Sequence, residues 1–519
     1  MLYLDKDHDP RENAAILAQY GNVLDLTKTI KETEQLFNQV RVNKATHHVH
    51  RSGGSFPQKI ASAFFRLLSM TTEPDNLIKV KVDPEGNVIP DWKELLDEEL
   101  SNLHKNLVKE VNVVDFGAVG DGKTDNTNAF KKAIGSGKVK VVVPAGVFIT
   151  KGIQLPSWTI LVGAGKGVTT IKLHDSADKA TRLITNANHW NGNHHLFVGS
   201  LSLDWNVERL GNVAKTSTWG NHSSCLTYAN VTYGWVKDVE ARNPGLHCFD
   251  ISSTLYNYAG DGFRARGGSK YVWLDNLNGY GFGDDGVTTH HSDYIFISRC
   301  HMCDPSGRTH KKGFSNSNGI EVDDGSRNVL LVNNSSARCF GGVEIKAHEN
   351  SSAASNVQIV GHISVNDNRS FNFRHIGHHK NAEPESKTAY NIIATNLVAI
   401  TPIFTELYKD STPRGMVISA YKNVVVTHFT LIGDPDYDYT GNPVVAVQYR
   451  ARNVVLKQIF VKNFKKAGSD IKVFGGENRA DSVRIHDVMS QNSAPKAVVA
   501  GKDITVITLE NVKSVDNYL

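Results

Sequence analysis

Hydrophobic residues recur with a helical period in the first 110 residues of the chain. The pattern predicts an amphipathic helix over residues 22–40 and an apolar helix over residues 60–70. The apolar face of the first helix would consist of Leu26, Ile30, Leu36 and Phe37. Leucines at positions 96, 100, 103 and 107 fit either one amphipathic helix lying on a domain or a short coiled-coil neck of an oligomer. We predict a smaller helical region over residues 1–110.

Strand-like alternation replaces the helical pattern from Val111 onward. A turn, an asparagine or similar polar residue and a Val/Ile-rich run recur together, at spacings of 28, 35, 32 and 30 residues. The copies begin at Asn328, Asn356, Asn391, Asn423 and Asn453, and the series continues at Ser482 and Asp503. A β-rich period of this length indicates a solenoid, because propeller blades are longer and carry periodic aromatic signatures. We predict an all-β domain over residues 111–519, a right-handed parallel β-helix.

Outward-facing positions of successive coils in such a fold form columns about 4.8 Å apart. Four coils align when Gly286, Gly319, Gly342 and Ser370 are taken as equivalent. One outward column then holds Thr288, Glu321, Glu344 and Asn372, the next holds His290, Asp323, Lys346 and Arg374, and Asp250 extends this face on the preceding coil. The residues that would point inward are Val287, Ile320 and Val343. Acids and cations on one face suit acid–base chemistry on a bound polymer, although ion pairs between coils are also a common surface feature.

Six of the 22 histidines fall in or beside these coils, where imidazole can transfer protons near neutral pH and pair with anions. The predicted catalytic residues are Asp285, His290, Glu321, Asp323, Glu344 and His348. The predicted substrate-binding residues are Asp284, Arg264, Arg266, Lys346, Arg374 and His291. A divalent cation could bind at Asp284, Asp285 and Asp323, but no regular loop such as an EF-hand is present. The pattern requires no cofactor, and the metal stays unassigned.

Composition and charge exclude several functional classes. The 57 Lys and Arg residues nearly balance 53 Asp and Glu, and a net charge of +4 offers no basic field for nucleic acid or an anionic membrane. No apolar run approaches the roughly 18 residues that span a bilayer, and the N-terminus lacks a secretory-signal pattern, so we expect synthesis in a cytoplasm. Five cysteines predict no disulfide framework, and Cys300 and Cys303 are expected to be core or loop residues.

Two groups of motifs resemble phage proteins. VNVVDFGAVGDGKTDNTNAFKKAI at 111–134 and VVVPAGVFIT at 141–150 resemble the opening of the pectate-lyase-superfamily β-helix of many phage tailspikes. A second group is similar to the central coils of preneck appendage proteins, the trimeric tailspikes of small short-tailed phages that infect Gram-positive bacteria. Its members are GDDGVTTHHSDYI, SNGIEVDDGSRNV, GGVEIKAHENSSAA, NDNRSFNFRHIGHH and VVAVQYRARNV. The similarity is densest between Asp284 and His379.

This resemblance implies a virion protein that is made in the host cytoplasm and forms a homotrimer. It also implies adsorption to the bacterial cell wall and degradation of teichoic acid, a phosphodiester-linked polyol polymer. By position, residues 1–110 would attach the protein to phage tail or neck proteins. The chain ends at Leu519 soon after the last coil, without the C-terminal self-cleaving region of some relatives, so either a native or a processed end is expected.

Three functional hypotheses stay open at this stage. In the first, cations such as Lys346 and Arg374 hold phosphate oxygens while an acid and a base cleave a phosphodiester. In the second, two carboxylates act as a glycoside hydrolase or lyase on capsule or exopolysaccharide. The GDD at 283–285 is similar to a polygalacturonase turn, but SNG at 317–319 replaces the GHG motif of that family. In the third, a non-catalytic adhesin binds glycan on an aromatic platform of Trp205, Trp219, Trp235 and Trp273.

Overall fold

Parallel β-strands make up most of the fold, and a few helices lie outside them. The computed structural model describes residues 2–41, 60, 63–64, 67, 69–71, 77–218, 220, 222–255, 260–380 and 383–515. The α-helices in these ranges are Asn13–Tyr20, Leu26–Val40, Lys93–Lys105 and Thr127–Ile134. Short 3₁₀ turns occupy Pro10–Glu12, Val113–Phe116 and Val207–Leu210.

Two long parallel sheets form the faces of a solenoid. The strands of the first sheet are Lys109–Asn112, Asp121–Asp125, Val139–Val142, Gly146–Thr150, Thr159–Val162, Thr169–Leu173, Asn193–Asp204, Val231–Arg242, Lys270–Asp275, Asn278–Tyr280, Asp293–Ser298, His301–Cys303, Arg327–Ala337, Ser355–Val365, Tyr390–Ile400, Lys422–Ile432, Arg452–Lys462, Asp481–Gln491 and Ile507–Val515. The strands of the second sheet are Ile153–Leu155, Ile184–Asn186, Leu226–Ala229, Phe249–Ser252, Val287–Thr289, Asn318–Val322, Gly341–Ala347, Arg369–His375, Arg414–Ser419, Pro443–Gln448, Ser469–Val473 and Val498–Ala500. Antiparallel pairs join Val80–Val82 to Val88–Pro90 and Ser69–Thr71 to Phe263–Ala265. The predicted parallel β-helix with N-terminal helices is confirmed.

The asparagines that mark the sequence repeat occupy the corners where strands of the first sheet begin. Positive φ angles, from 52° to 66°, are found at Asn328, Asn356, Asn391, Asn423 and Asn453. Asparagine adopts this left-handed conformation more readily than most residues. The side chains also form a ladder: Asn391 Nδ2 donates to Asn356 Oδ1 at 2.7 Å, and Asn423 Nδ2 donates to Asn391 Oδ1 at 3.0 Å. The repeat in the sequence therefore reflects both the backbone corner and contacts between successive coils.

The coil alignment predicted from the sequence is the register of the second sheet. Residues paired on neighbouring strands include Thr288, Glu321, Glu344 and Asn372, and, two positions further, Lys346 and Arg374. The stacked interior residues Val287, Ile320, Val343 and Phe371 are fully buried. All five cysteines are likewise buried and unpaired, as expected. The inward and outward faces of these coils are therefore as predicted.

The helix Lys93–Lys105 lies on the first sheet and uses its leucine stripe to do so. Leu96 and Leu103 are fully buried, and they belong to an apolar cluster that includes Trp235 and Trp273. Since these leucines are covered within one chain, they offer no seam to a second helix. The structure thus matches the amphipathic helix on a domain rather than the coiled-coil neck.

The helix predicted over residues 22–40 is present as Leu26–Val40, and two residues of its predicted apolar face, Ile30 and Phe37, are buried. In the segment 60–70, for which the sequence predicts a helix, residues 60, 63, 64 and 67 are helical, and the last two positions begin the strand Ser69–Thr71. Residues 61, 62, 65, 66 and 68 lie outside the described residues. Across the part of the chain that the structure describes, no helix has the length and apolar character needed to cross a bilayer.

Candidate functional site

A cavity of about 230 Å³ lies over the outward columns of the second sheet. Four neighbouring coils supply its floor, and two loops, 211–225 and 304–317, supply its walls. The lining residues are Ser217, Thr218, Gly220, Leu246, His247, Asp284, His290, Thr309, His310, Asn316, Glu321, Asp323, Lys346 and His348. Most of these side chains are polar or titratable, which distinguishes the cavity from an apolar ligand pocket.

The charged groups on the cavity floor are buried. Glu321, Asp323 and Lys346 point away from the apolar stack, yet only 3%, 1% and 3% of their surfaces are exposed. Lys346 Nζ lies 2.7 Å from Glu321 Oε1 and 3.9 Å from Asp323 Oδ2. Burial raises the pKa of Glu321, although Lys346 opposes the shift. Burial acts in the same direction on Asp323, but its cationic neighbours, Lys346 first, hold its pKa well below the usual range. Glu321 therefore takes up a proton more readily than Asp323 does.

Two histidines flank a buried aspartate at one end of the cavity. His247 Nδ1 lies 3.6 Å from Asp250 Oδ2, and His290 Nδ1 lies 3.8 Å from Asp250 Oδ1. Burial lowers both imidazole pKa values, but the surrounding carboxylates raise that of His247 to about 9 and that of His290 to about 10. Burial conversely raises the pKa of Asp250, and the two imidazoles lower it to about 2. Both imidazoles are therefore positively charged at neutral pH.

The other two cavity histidines also pair with carboxylates. His348 Nδ1 lies 3.0 Å from Asp324 Oδ2, and His310 Nε2 lies 2.7 Å from Asp284 Oδ1. Burial lowers the pKa of His348, but Asp324 and its neighbours raise it to about 9. The pKa of His310 is raised by Asp284 against the effect of burial, and that of Asp284 is lowered in turn. The His348 side chain is 40% exposed, so it can meet a ligand that enters the cavity.

Asn318 gathers three carboxyl groups beneath the cavity. Its Nδ2 lies 3.0 Å from Asp285 Oδ1, 3.1 Å from Glu321 Oε1 and 2.8 Å from Glu344 Oε2. Burial and the negative charge of Asp284 raise the pKa of Asp285 well above its usual range. The site thus combines ionised carboxylates, carboxyls that hold protons more tightly than usual, and imidazolium groups within four coils. Such a mixture can donate and accept protons on a bound anion.

Comparisons with known proteins identify the family of the chain. The family described as Rhamnogalacturonase A/epimerase, pectate lyase-like matches residues 110–344. The putative phage-related protein YobO of Bacillus subtilis strain 168 is 51% identical over 443 residues, which are 85% of this chain and 55% of that protein. The pre-neck appendage protein of Bacillus phage phi29 is 42% identical over 409 residues, 78% of this chain and 47% of that protein. The crystal structure of the N-terminal fragment of bacteriophage phi29 gene product 12 shares 40% identity with a TM-score of 0.73, over 82% of this chain and 69% of the fragment. The chain belongs to the phage pre-neck appendage family.

The chain spans about half the length of the curated relatives it matches. It likewise covers 54% of pre-mature phi29 gene product 12, with a TM-score of 0.74. The matched part of these appendage proteins and this chain share the β-helix fold.

Half of the twelve predicted site residues line the cavity. These are Asp284, His290, Glu321, Asp323, Lys346 and His348. Asp285 lies just beneath them, within 3.5 Å of His247 Nε2. The remaining five, which do not line the cavity, are Glu344, Arg374, Arg264, Arg266 and His291.

Glu344 and Arg374 occupy the predicted columns but serve the framework of the coils. Glu344 is fully buried, and its Oε1 accepts hydrogen bonds from Asn372 Nδ2 at 2.9 Å and from Arg374 Nε. Its Oε2 accepts from Asn318. Both carboxylate oxygens of Glu344 are thus bonded inside the fold, and neither Glu344 nor Arg374 lines the cavity. The catalytic role of Glu344 and the substrate contact of Arg374 stay predictions.

Arg264, Arg266 and His291 do not line the cavity, and their predicted substrate contacts stay predictions. Arg264 is 2% exposed and its Nη1 lies 3.1 Å from Asp293 Oδ2. Arg266 Nε donates to the Ser69 carbonyl oxygen at 3.2 Å, close to the N-terminal region. His291, with φ of 48°, turns away from His290 and its Nδ1 accepts a backbone N–H at 3.2 Å. The left-handed corner at His291 explains why adjacent histidines do not share a site.

Sequence reasoning missed four groups of the site. His247 and Asp324 carried a visible signal, because the first stands three residues before Asp250 and the second directly follows Asp323. Asn318 also lies within the aligned coils. His310 comes from the wall loop 304–317, which has no repeat pattern and gave no signal.

The aromatic platform predicted for an adhesin is not formed by the tryptophans that the structure describes. The surfaces of Trp205 and Trp235 are fully buried, and Trp273 is 9% exposed. Trp219 lies outside the described residues. These three described rings are packing residues rather than a glycan-binding surface.

Three groups of residues that line the cavity or lie directly beneath it have donor atoms close enough to hold a divalent cation. They are His247 with Asp284 and Asp285, His290 with Glu321 and Asp323, and His348 with Asp323 and Asp324. In each group the donor atoms lie within 4.8 Å of one another. Each group offers one imidazole and two carboxylates, a donor set that several divalent ions accept.

Proposed function

We propose that the chain is the receptor-binding and depolymerising part of a phage appendage, which adsorbs to the Gram-positive cell wall and hydrolyses teichoic acid phosphodiester bonds. The observation that carries this proposal is the set of cationic groups in one open cavity, namely Lys346, His247, His290 and His348. A phosphodiester needs cations at its non-bridging oxygens, whereas a glycosidic bond needs chiefly two carboxyls. The pre-neck appendage relatives support a place on the virion.

Lys346, His290 and His348 would bind the phosphate. Asp323 Oδ2 lies 3.9 Å from Lys346 Nζ, 3.4 Å from His290 Nε2 and 3.6 Å from His348 Nδ1. The Asp323 carboxylate thus holds three cationic groups close together on the cavity floor. Charge-assisted hydrogen bonds from these groups to the phosphate oxygens would be stronger than neutral ones and would stabilise charge that builds on phosphorus oxygens during attack.

Glu321 and His348 are suited to the proton transfers. Burial brings the pKa of Glu321 closer to neutral, so it can take a proton from the attacking water. The new bond joins water oxygen to phosphorus, and the bond from phosphorus to the polyol oxygen breaks. The His348 imidazolium, whose pKa is raised to about 9, would give its proton to that leaving oxygen. The products are a phosphate monoester and a polyol hydroxyl, and no further reactant is needed.

Purified glycerol-phosphate teichoic acid tests the proposal directly. We expect the wild-type chain to release phosphate-ended fragments, detected by mass spectrometry, and Glu321→Gln to cleave about 10²–10⁴-fold more slowly because the base is lost. Asp470→Asn is the matched control, since Asp470 is also a fully buried carboxyl but lies on a distant coil. The control should keep wild-type activity and a wild-type circular dichroism spectrum.

Other products would contradict the proposal in distinct ways. Reducing sugars from wall polysaccharide without phosphate-ended fragments would identify a glycoside hydrolase. Sedimentation of the chain with cell walls, with no soluble product after long incubation, would identify a glycan-binding adhesin. Full activity of Glu321→Gln would place the chemistry outside this cavity.

We further propose that the appendage is a homotrimer attached to phage tail or neck proteins through residues 1–110. The trimer is proposed from the resemblance to the pre-neck appendage family. The attachment is proposed because the helices of residues 1–110 lie on the outside of the solenoid. Light scattering on the purified chain should give three times the mass of one chain. A chain that stays monomeric at the concentrations used for the cleavage assay would contradict the trimer without affecting the cleavage test.

A further inference from the structure

A second cluster of metal-binding side chains lies outside the cavity. Asp261, His375 and His378 are 1%, 1% and 2% exposed. One donor atom of each lies within 4.8 Å of the others. His375 ends the strand Arg369–His375 and His378 follows in the next loop, whereas Asp261 comes from a loop several coils earlier. The fold therefore brings two imidazoles and one carboxylate together from separate segments.

Two of the three side chains are oriented from behind by hydrogen bonds. His378 Nδ1 lies 2.5 Å from the Pro384 carbonyl oxygen, which sets this nitrogen as the donor and places the ring lone pair on Nε2. Asp261 Oδ2 accepts the Lys387 backbone N–H at 2.5 Å, and its Oδ1 accepts the Thr388 hydroxyl. Outer contacts of this kind accompany metal-ligating histidines and carboxylates, because they fix the tautomer and the direction of the donor atom.

His375 gives an independent indication of a ligand. Its Nδ1 lies 2.7 Å from Ser386 Oγ, while its Nε2 is fully buried and has no hydrogen-bond partner among the described residues. A buried nitrogen without a partner is costly unless something else satisfies it. The His375 and His378 rings have centroids 4.0 Å apart and planes at 47°. An ion between these side chains would satisfy the buried nitrogen.

We propose that Asp261, His375 and His378 bind a divalent transition-metal ion, with Zn²⁺ as the reference ion. Two imidazole nitrogens and one carboxylate oxygen are donors that Zn²⁺ and its neighbours in the first row accept. Bonds of about 2.0–2.2 Å would place the donor atoms about 3.4 Å apart, so closing the site takes side-chain shifts on the order of an ångström. A water molecule would complete the coordination of the ion.

The metal would fasten two loops to the turn that carries His348. Gly260 N donates to the Asn350 carbonyl oxygen at 2.9 Å, and Gly262 N donates to Ser352 Oγ at 3.0 Å. The Asp261 loop thus already rests on the turn that follows His348, and His375 pairs with Ala347 on the adjacent strand. The site is structural and does not depend on the proposed function, because none of its three ligands lines the cavity.

Zinc content tests the site with variants of matched burial. Chelator-treated protein is dialysed against Zn²⁺ and analysed by mass spectrometry for metal, with His375→Gln and His378→Gln beside His362→Gln. His362 is a fully buried histidine in another part of the core and serves as the control. We expect about one ion per chain in wild type and control, and at least about tenfold weaker binding in the two ligand variants. Full zinc content in both ligand variants would overturn the proposal.

Counting imidazole ligands in the wild-type protein needs no variant and separates this site from the cavity. Each cavity group offers one histidine, whereas this site offers two. Electron–nuclear double resonance of the Cu²⁺-loaded chain should therefore detect two imidazole nitrogens. One imidazole, or loss of the ion in Asp323→Asn, would place the metal in the cavity and contradict the assignment.

Discussion

Replacing Asp250 by asparagine should move the alkaline limit of activity toward neutral pH. Asp250 is fully buried and does not line the cavity, so the substitution changes no direct ligand contact. It removes a negative charge that lies 3.6 Å from His247 Nδ1 and 3.8 Å from His290 Nδ1. Asparagine has nearly the same volume, and the coil can pack as before. Asp250 is therefore a positioning residue that acts through the charge of its neighbours.

The size of the shift follows from the distances. Two unit charges 3.6–3.8 Å apart interact by about 4–5 kcal/mol at an effective dielectric constant of about 20. At 1.36 kcal/mol per pKa unit this is about three units. His290 keeps Asp323 as a partner at 3.4 Å, and its pKa should fall from about 10 to about 7. Loss of a carboxylate lowers an imidazole pKa, so the imidazolium disappears at a lower pH.

The pH dependence of kcat/KM on teichoic acid measures this shift. Wild type should lose activity only as pH rises through about 9 to 10, where His348, His247 and His290 release their protons. The Asp250→Asn variant should lose it near pH 7, with Asp470→Asn unchanged. Histidine ¹³C NMR titration of the free protein follows the same protons without substrate. If wild type and a folded Asp250→Asn variant lost activity at the same alkaline pH, the electrostatic reasoning would be refuted.

Three further predictions concern stability. Burial raises the pKa of Asp367 to about 6 against an ordinary 3.8, so the native state binds this proton more tightly than the unfolded state does. As pH rises from 3.8 to 6, this group should lower the free energy of unfolding by about 3 kcal/mol. In urea titrations Asp367→Asn should remove that contribution and leave the similar one of Asp470, whose pKa burial also raises to about 6. Leu103→Ala should weaken the contact between helix and sheet, lower the free energy of unfolding by about 2–5 kcal/mol and speed proteolytic release of the N-terminal region. Leu100→Ala should have a smaller effect, because Leu100 is only partly buried. Asn391→Ala should remove two hydrogen bonds of the asparagine ladder and place alanine in a left-handed backbone conformation, which should lower stability in thermal melts by about 1–3 kcal/mol. Asn391→Gly should recover the share of this loss that comes from backbone strain.

The register of the coils was predictable because glycines and small residues mark positions where coils touch. A Cβ added at Gly286 would lie 2.6 Å from the Gly319 carbonyl oxygen, and one at Gly319 would lie 2.9 Å from that of Gly342. One at Gly342 would lie 2.6 Å from that of Ser370. Since no larger side chain fits there, the same position on each coil keeps a small residue, and aligning them reproduces the strand pairing.

The extent of the site was less predictable because loops, not coils, define it. The alignment says which side chains point outward, but it does not say which of them are covered by the loops at 211–225 and 304–317. His310 enters from one of those loops, and its pairing with Asp284 has no trace in the repeat. Arg264 follows the coil that carries Asp250, and nearness along the chain placed it at the site, whereas the turn takes it to Asp293. Long-range folding of irregular segments has no short-range signal of the kind a period provides.

The composition of one column argues that the charged floor is functional rather than a ladder for stability. Following the strand pairing, this column reads Gln154, Thr185, Thr227, Asp250, Thr288, Glu321, Glu344, Asn372, Val417, Ala446, Lys472 and Val499. The carboxylates of this column stand only on coils at or next to the cavity. Buried ion pairs are often no more stabilising than apolar residues of similar size, so stability alone gives no reason to change composition there. A column that carries buried acids only on the coils beneath an enclosed cavity supports the proposal that Glu321 and the cations around it handle a ligand there.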